Sequence, residues 1–209
     1  MSDRYRTVRQ EAADEFVERR SRFIGTIKPV TTEEDALAFI ADRKKQYWDA
    51  KHNVYAYILR EGQIRRYSDD GEPQGTAGMP VLDVLQKEGL TDCVVVVTRY
   101  FGGILLGGGG LVRAYSHAAR LAVDAGERLE MRPCALLSID CDYAQYGRVA
   151  PLVAELGGVT DDTIYTEAVR LEFHLPHEQL PILRTRLTDL SAGTLTVEEN
   201  GEAYYGFAV

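Results

Sequence analysis

The sequence predicts an α+β protein of two domains, on three observations. A strand-sized apolar run, Cys93–Val97, opens into a glycine-dense loop and then a helical stretch, Leu111–Ala125. The stretch after residue 134 reads as strand, helix, strand, strand, helix, strand, the split βαββαβ order of a ferredoxin-like sheet with two helices on one face. Between these parts Glu127–Pro133 reads as a short linker, which places the domains at 1–130 and 134–209.

The elements follow in chain order. β-favouring residues around Phe16–Val17 and Phe23–Ile27 suggest a hairpin. Thr31-Thr32-Glu33-Glu34 looks like a capped helix start, and Ala36, Leu37, Phe39 and Ile40 continue at helical spacing to a helix end near Tyr47. His52–Arg60 and Gln63–Ser68 read as strands joined through Glu61-Gly62. Asp69-Asp70-Gly71-Glu72-Pro73 is turn chemistry, and Met79–Glu88 a short helix with Pro80 in its first turn. The second domain reads as strand 134–142, helix 144–156, strands 160–166 and 168–175, helix 177–190 and strand 194–207. Gly157-Gly158 closes its first helix and Pro176 opens its second.

Composition narrows the function classes. The chain has 209 residues, 45% hydrophobic and 27% charged, with net charge −8. Residues 1–134 balance 20 Lys+Arg against 20 Asp+Glu, whereas 135–209 hold 4 arginines against 12 acids. An acidic half repels phosphate at long range, so nucleic-acid contact is expected on local basic patches of the first domain. No apolar run approaches the roughly 20 residues of a membrane span, and the first residues lack the apolar core of a signal peptide. Cys93, Cys134 and Cys141 form no Cys-x-x-Cys pair. The expected location is the cytoplasm, with no membrane contact.

Six of the nine residues from Gly102 to Gly110 are glycine. Each surrenders much backbone freedom on folding, a cost accepted where backbone approaches something closely or takes positive φ. A strand, glycine loop and helix N-terminus in succession aim N–H groups outward, a candidate anion surface flanked by Arg99 and Arg113. Tight packing of the loop on neighbouring backbone is the other reading. It is neither a P-loop nor a dinucleotide fingerprint, because no Gly-Lys-Ser/Thr follows and Val112 stands where a last glycine belongs.

Other constellations are weaker. Asp69, Asp70 and Glu72 could hold Mg²⁺ through oxygen, or cap N–H groups and pair with arginines. Thr76, in Gly75-Thr76-Ala77-Gly78, is an anion or capping candidate. His52 could act as a base or serve as a hydrogen-bonded structural histidine. Lys51, Arg65, Arg66, Arg99, Arg113 and Arg120, interleaved with tyrosines, are the basic candidates for stacking and phosphate contact.

Ser21-Arg22-Phe23, Asp49–Asn53, Ser68–Gly78, Thr98–Gly103 and Gly107–Tyr115 together resemble the YigZ/IMPACT family over about residues 18–125. The remainder is similar to the small C-terminal domain of bacterial YigZ-type members. The resemblance implies a first domain like domain IV of elongation factor G and a ferredoxin-like second domain like its domain V. One departure stands in the loop, where Leu105 replaces a lysine of many relatives. The resemblance implies a translation-associated regulatory protein that binds RNA or the ribosome. The expected contacts are Arg99, Arg113, Gly102, Gly103, Gly109, Gly110, Thr76, His52 and Arg66. No catalytic residue and no cofactor are assigned. The alternatives are an enzyme binding a small phosphorylated or peptide substrate at the Asp-Asp-Gly-Glu-Pro and glycine loops, and a protein–protein regulatory module.

Overall fold

The computed structural model describes residues 4–209. They divide into two units, one of Tyr5–Glu130 with Gly206–Val209 and one of Met131–Tyr205 with Arg4. The first unit contains β1 (Tyr5–Val8), β2 (Ala12–Glu18), β3 (Ser21–Pro29), α1 (Glu33–Gln46), β4 (His52–Leu59), β5 (Ile64–Ser68), α2 (Gly78–Lys87), β6 (Cys93–Tyr100) and α3 (Gly108–Gly126). Five strands form an antiparallel sheet in the order β2-β3-β6-β4-β5. Its centre, β6, is covered on both faces. Cys93, Val95 and Val97 pack with α2 and α3, and Val94 and Val96 pack with α1, as the two-residue period of a strand requires.

Local chemistry sets the helix ends. Thr32 caps α1 by accepting the Asp35 N–H at 3.1 Å. Glu33, Glu34 and Asp35 in its first turn and Arg43, Lys44 and Lys45 in its last complement the helix dipole. Helix α3 starts at Gly108, three residues ahead of the expected Leu111. Glycines 108–110 are poor helix formers, but the turn propagates back from a well-packed face of Leu111, Ala114, Tyr115, Ala118, Ala119 and Ala122. That face lies so close to β3 that a Cβ at Gly25 would stand 2.3 Å from the Ala118 carbonyl oxygen. The expected β2–β3 hairpin forms with Glu18 opposite Ser21. Its two-residue turn, Arg19 (φ 45°) and Arg20 (φ 65°), is left-handed at both positions.

The elements β7 (Arg128–Cys141), whose first three residues still belong to the first unit, α4 (Tyr143–Glu155), β8 (Val159–Tyr165), β9 (Val169–Pro176), α5 (Leu180–Ser191) and β10 (Glu198–Ala208), whose last three residues return to it, follow in the expected βαββαβ order. The sheet has five strands, in the order β1-β7-β9-β8, with β10 as a further partner of β7. One core joins Leu137 and Ile139 of β7, Leu171 and Phe173 of β9, Val149 and Leu152 of α4 and Leu183 and Leu187 of α5, so both helices cover the same face. Asp142 and Gln145 close a capping box on α4, and Gly157 (φ 77°) ends its chain reversal.

Three boundaries differ from expectation. Glu127–Pro133 is no loop linker, because β7 runs through it from Arg128. Pro133 lies just before the paired register with β9 begins at Cys134, so it removes no bond from that ladder. The last helix begins as a 3-10 turn, His177–Gln179, before α5. The final strand starts at Glu198, after residues 194–197.

All three cysteines are buried. Burial, with Asp92 adding, pushes the Cys93 thiol up to about 12 from an ordinary 9.0. The unfolded chain therefore releases this proton first, and the thiol's stabilising contribution is complete below pH 9.0 and lost as pH rises towards 12. Unfolding free energy from urea titrations should fall over that window, and a thiol reagent at neutral pH should modify the unfolded chain only. Gly25→Ala should lower stability by about 1–3 kcal/mol, because its Cβ meets backbone, which cannot rotate away; the urea midpoint checks this.

Candidate anion-binding site at the glycine loop

Strand alternation decides the centre of the site. Arg99 continues the inward face of Cys93, Val95 and Val97, so its side chain is 6% exposed and runs beneath α3. There it donates to Glu72 Oε1 at 2.6 Å, and the Tyr115 hydroxyl donates to the same oxygen at 2.7 Å. Glu72 is itself only 4% exposed. Burial first, and then the Glu72 charge, push the Tyr115 phenol far above its ordinary range, so it remains a neutral donor. The Arg99 guanidinium lies 5.4 Å from the ring centres of both Phe23 and Phe101. Its Nη2 also lies 3.4 Å from Ser21 Oγ, which accepts the Gly102 N–H at 3.2 Å. Arg99 is thus an internal strut, and the expected role as a surface phosphate contact is corrected.

The carboxylates of the turn are consumed in the same way. Asp69 accepts the N–H groups of Gly75, Ala77 and Gly78 at 2.9, 3.1 and 2.8 Å. Asp70 accepts the Asn53 N–H and pairs with Lys44, each at 2.6 Å. Among the described residues no three His, Cys, Asp or Glu side chains gather as a metal-ligand set. The Mg²⁺ reading of Asp69, Asp70 and Glu72 is replaced by backbone capping and ion pairing. Thr76 is excluded as an anion contact, because its hydroxyl and its N–H both donate to the Pro73 carbonyl, at 2.6 and 3.1 Å.

Around this frame the turn, the end of β6 and the start of α3 converge on a cleft of about 360 Å³. Its lining includes Lys51, His52, Glu72, Phe101, Gly107 and Gly108. The His52 ring, 9% exposed, holds Nδ1 2.8 Å from the Asp70 carbonyl, which fixes Nδ1 as the donor. Nε2 makes no hydrogen bond, and lies 3.9 Å from Glu72 Oε1. Gly71 (φ 85°) passes over the imidazole, where a Cβ would sit 3.5 Å from Nδ1. Gly107 (φ 71°) offers no side-chain cap, so the first-turn N–H groups of α3 are open.

The other expected residues separate. Gly102 is glycine for packing, since its Cβ would fall 2.0 Å from the Arg20 backbone, so its N–H serves Ser21 and not a ligand. Gly103 (φ 84°) and Gly109 are exposed, whereas Gly110 packs against Leu106. Arg113 is exposed with Nη1 3.8 Å from the position of a Gly109 Cβ. It lines a second hollow of about 270 Å³ with Arg19, Leu106 and His117. Arg66 stands on the edge strand β5, outside both. Sequence reasoning missed Arg19 and Arg20, which carry no turn signature, and Ser21.

Removing one member of the buried pair should be costly. Glu72→Gln or Arg99→Gln should each lose about 3–5 kcal/mol by stranding the other charge. The double variant should lose clearly less than their sum, and Tyr115→Phe about 1–3 kcal/mol. Denaturant titration of the four variants checks this, and additive losses would disprove the coupling.

Comparison with known proteins extends over both units. Residues 19–123 match the Impact N-terminal domain and residues 139–194 match a domain of unknown function, DUF1949. The chain is 36% identical over 206 residues to "IMPACT family member YvyE" of Bacillus subtilis, covering 98% of this chain and 95% of that protein. It is 33% identical over 180 residues to "IMPACT family member YigZ" of Escherichia coli, covering 85% and 88%. "Protein IMPACT" of Mus musculus is 33% identical over 98 residues, which span 44% of this chain and 30% of that protein. A solved structure titled "Crystal structure of an hypothetical protein" superposes with TM-score 0.60 at 30% identity, covering 94% of this chain and 97% of that one. With both domain types matched and similarity along nearly its whole length, the chain belongs to the IMPACT family.

Proposed function

We propose that the chain is a translation-linked binding module that docks on the phosphate backbone of RNA, ribosomal RNA included, through the glycine-loop end of its first unit. Family membership supports the link to translation. The observation that carries the reading is a set of uncommitted cations beside open backbone. Arg20, Lys51 and Arg113 form no ion pair among the described residues, and each lies beside the glycine loop or the first turn of α3. Lys51 lies 5.9 Å from the centre of the Phe101 ring, and that half-exposed ring offers a face to an unpaired base.

The Arg19-Arg20 turn adds further support. Both residues hold left-handed angles that Asn-Gly would adopt at lower cost. Keeping two arginines there places positive charge beside the loop, with Arg19 Nη1 3.5 Å from the Leu105 carbonyl. In the second unit Arg170, Arg184 and Arg186 are all paired with carboxylates, which leaves its excess acid uncompensated and unsuited to phosphate.

Ribosome and RNA binding should weaken as salt rises. Lys51→Ala with Arg113→Ala should reduce the slope of log K against log salt by about 1.4 for a single strand. Arg19→Asn with Arg20→Gly should raise the melting temperature while lowering affinity. Co-sedimentation and anisotropy across a salt series test the proposal, and an unchanged slope in the Lys51/Arg113 variant refutes these contacts.

A further inference from the structure

We infer that the cleft beside His52 is a pocket for a nucleoside monophosphate group, either the terminal nucleotide of an RNA or a free mononucleotide. The inference deepens the RNA-binding reading and rests on it for its first source. Two independent features point to the ligand. The first is the uncapped start of α3, whose first residue, Gly108, lines the cleft at the positive end of a 19-residue helix. The second is His52, more than nine-tenths buried, with Nδ1 fixed on the Asp70 carbonyl and Nε2 without a hydrogen bond. Both line the same cleft.

The chemistry of the wall selects a monoester over an internal diester. A terminal phosphate has three free oxygens, enough to take the α3 N–H groups, Lys51 and His52 together; a diester has two. Nε2 of His52 is the imidazole atom left to meet the phosphate, with Glu72 Oε1 3.9 Å from it. The Glu72 carboxylate would repel an anion if it were free, but Arg99 and Tyr115 hold it at 2.6 and 2.7 Å. Phe101, Leu105 and Leu111 also line the cleft and supply apolar surface for a base, in a volume typical of small-ligand sites.

The test uses the full chain and a short RNA of one sequence bearing either a terminal phosphate or terminal hydroxyls, with AMP and inorganic phosphate as separate probes. The phosphate-ended RNA should bind at least about 10-fold more tightly. Alternatively, AMP alone should raise the melting temperature, which assigns the pocket to a free mononucleotide. Gly108→Pro removes one N–H at a position where helices accept proline, and its nearest side-chain neighbour, Thr76 Cγ2, is 3.9 Å from the new Cβ. Gly108→Pro and His52→Gln should each abolish the preference or the AMP shift; if the proline variant fails to fold, His52→Gln decides.

Equal binding of both RNAs, with no melting shift from AMP or inorganic phosphate, overturns the inference. If the hydroxyl-ended RNA still binds in a salt-sensitive way, the RNA-backbone reading survives that result. AMP binding without any RNA binding would do the opposite, sustaining the pocket and removing the RNA-backbone reading. A preference that persists in the folded variants places the phosphate elsewhere and also overturns the inference.

Discussion

A single buried carboxylate, Glu72, organises the first unit's functional end. Burying its charge costs several kcal/mol unless it is paired and hydrogen-bonded, and the pairing comes from two different elements, Arg99 at the end of β6 and Tyr115 on α3. The turn that carries Glu72 must therefore sit where strand and helix meet. Asp69 binds the remainder of that turn to itself by satisfying three backbone N–H groups. Asp70 ties it to β4 through Asn53. The cleft is consequently assembled before any ligand arrives, which lowers the ordering cost of binding.

The same interactions explain what could and could not be read from the sequence. Capping by Thr32, the two-faced burial of β6 and the βαββαβ order are local or periodic signals, and all are present in the structure. Arg99 was legible in principle: counting by two from Cys93 places it on the inward face, although its chemical type suggests a surface. The partners of Asp69 and Glu72 were not legible as specific bonds, since Glu72 to Tyr115 closes 43 positions of chain. The Arg19-Arg20 turn escaped because neither residue favours the left-handed angles it holds. Helix α3 began early because packing of its alanine face outweighs the low propensity of its glycines.

Charge is distributed to the same end. In the second unit Arg170 alone meets Asp140, Glu172 and Glu198, and Arg186 meets Glu155, so both of these arginines are internally engaged. In the first unit the buried Arg99 is engaged by Glu72, and exposed Lys51, Arg20 and Arg113 remain beside the loop. One inward arginine neutralises the site's own carboxylate. The outer three can then act on a partner at long range, subject to screening by salt.

The glycines at the start of α3 complete the site. A serine or aspartate at Gly107 would cap the helix and add about 1 kcal/mol, but its side chain would occupy the first-turn N–H groups of a helix whose first residue lines the cleft. It would also have to adopt φ 71°, which L residues with a Cβ disfavour. Helix α3 holds without that cap because Tyr115 and its alanines are wholly or nearly buried against β3 and β6. Stability comes from the packed face of the helix, and its N-terminus is left free of internal partners. That division is what a site built from backbone requires.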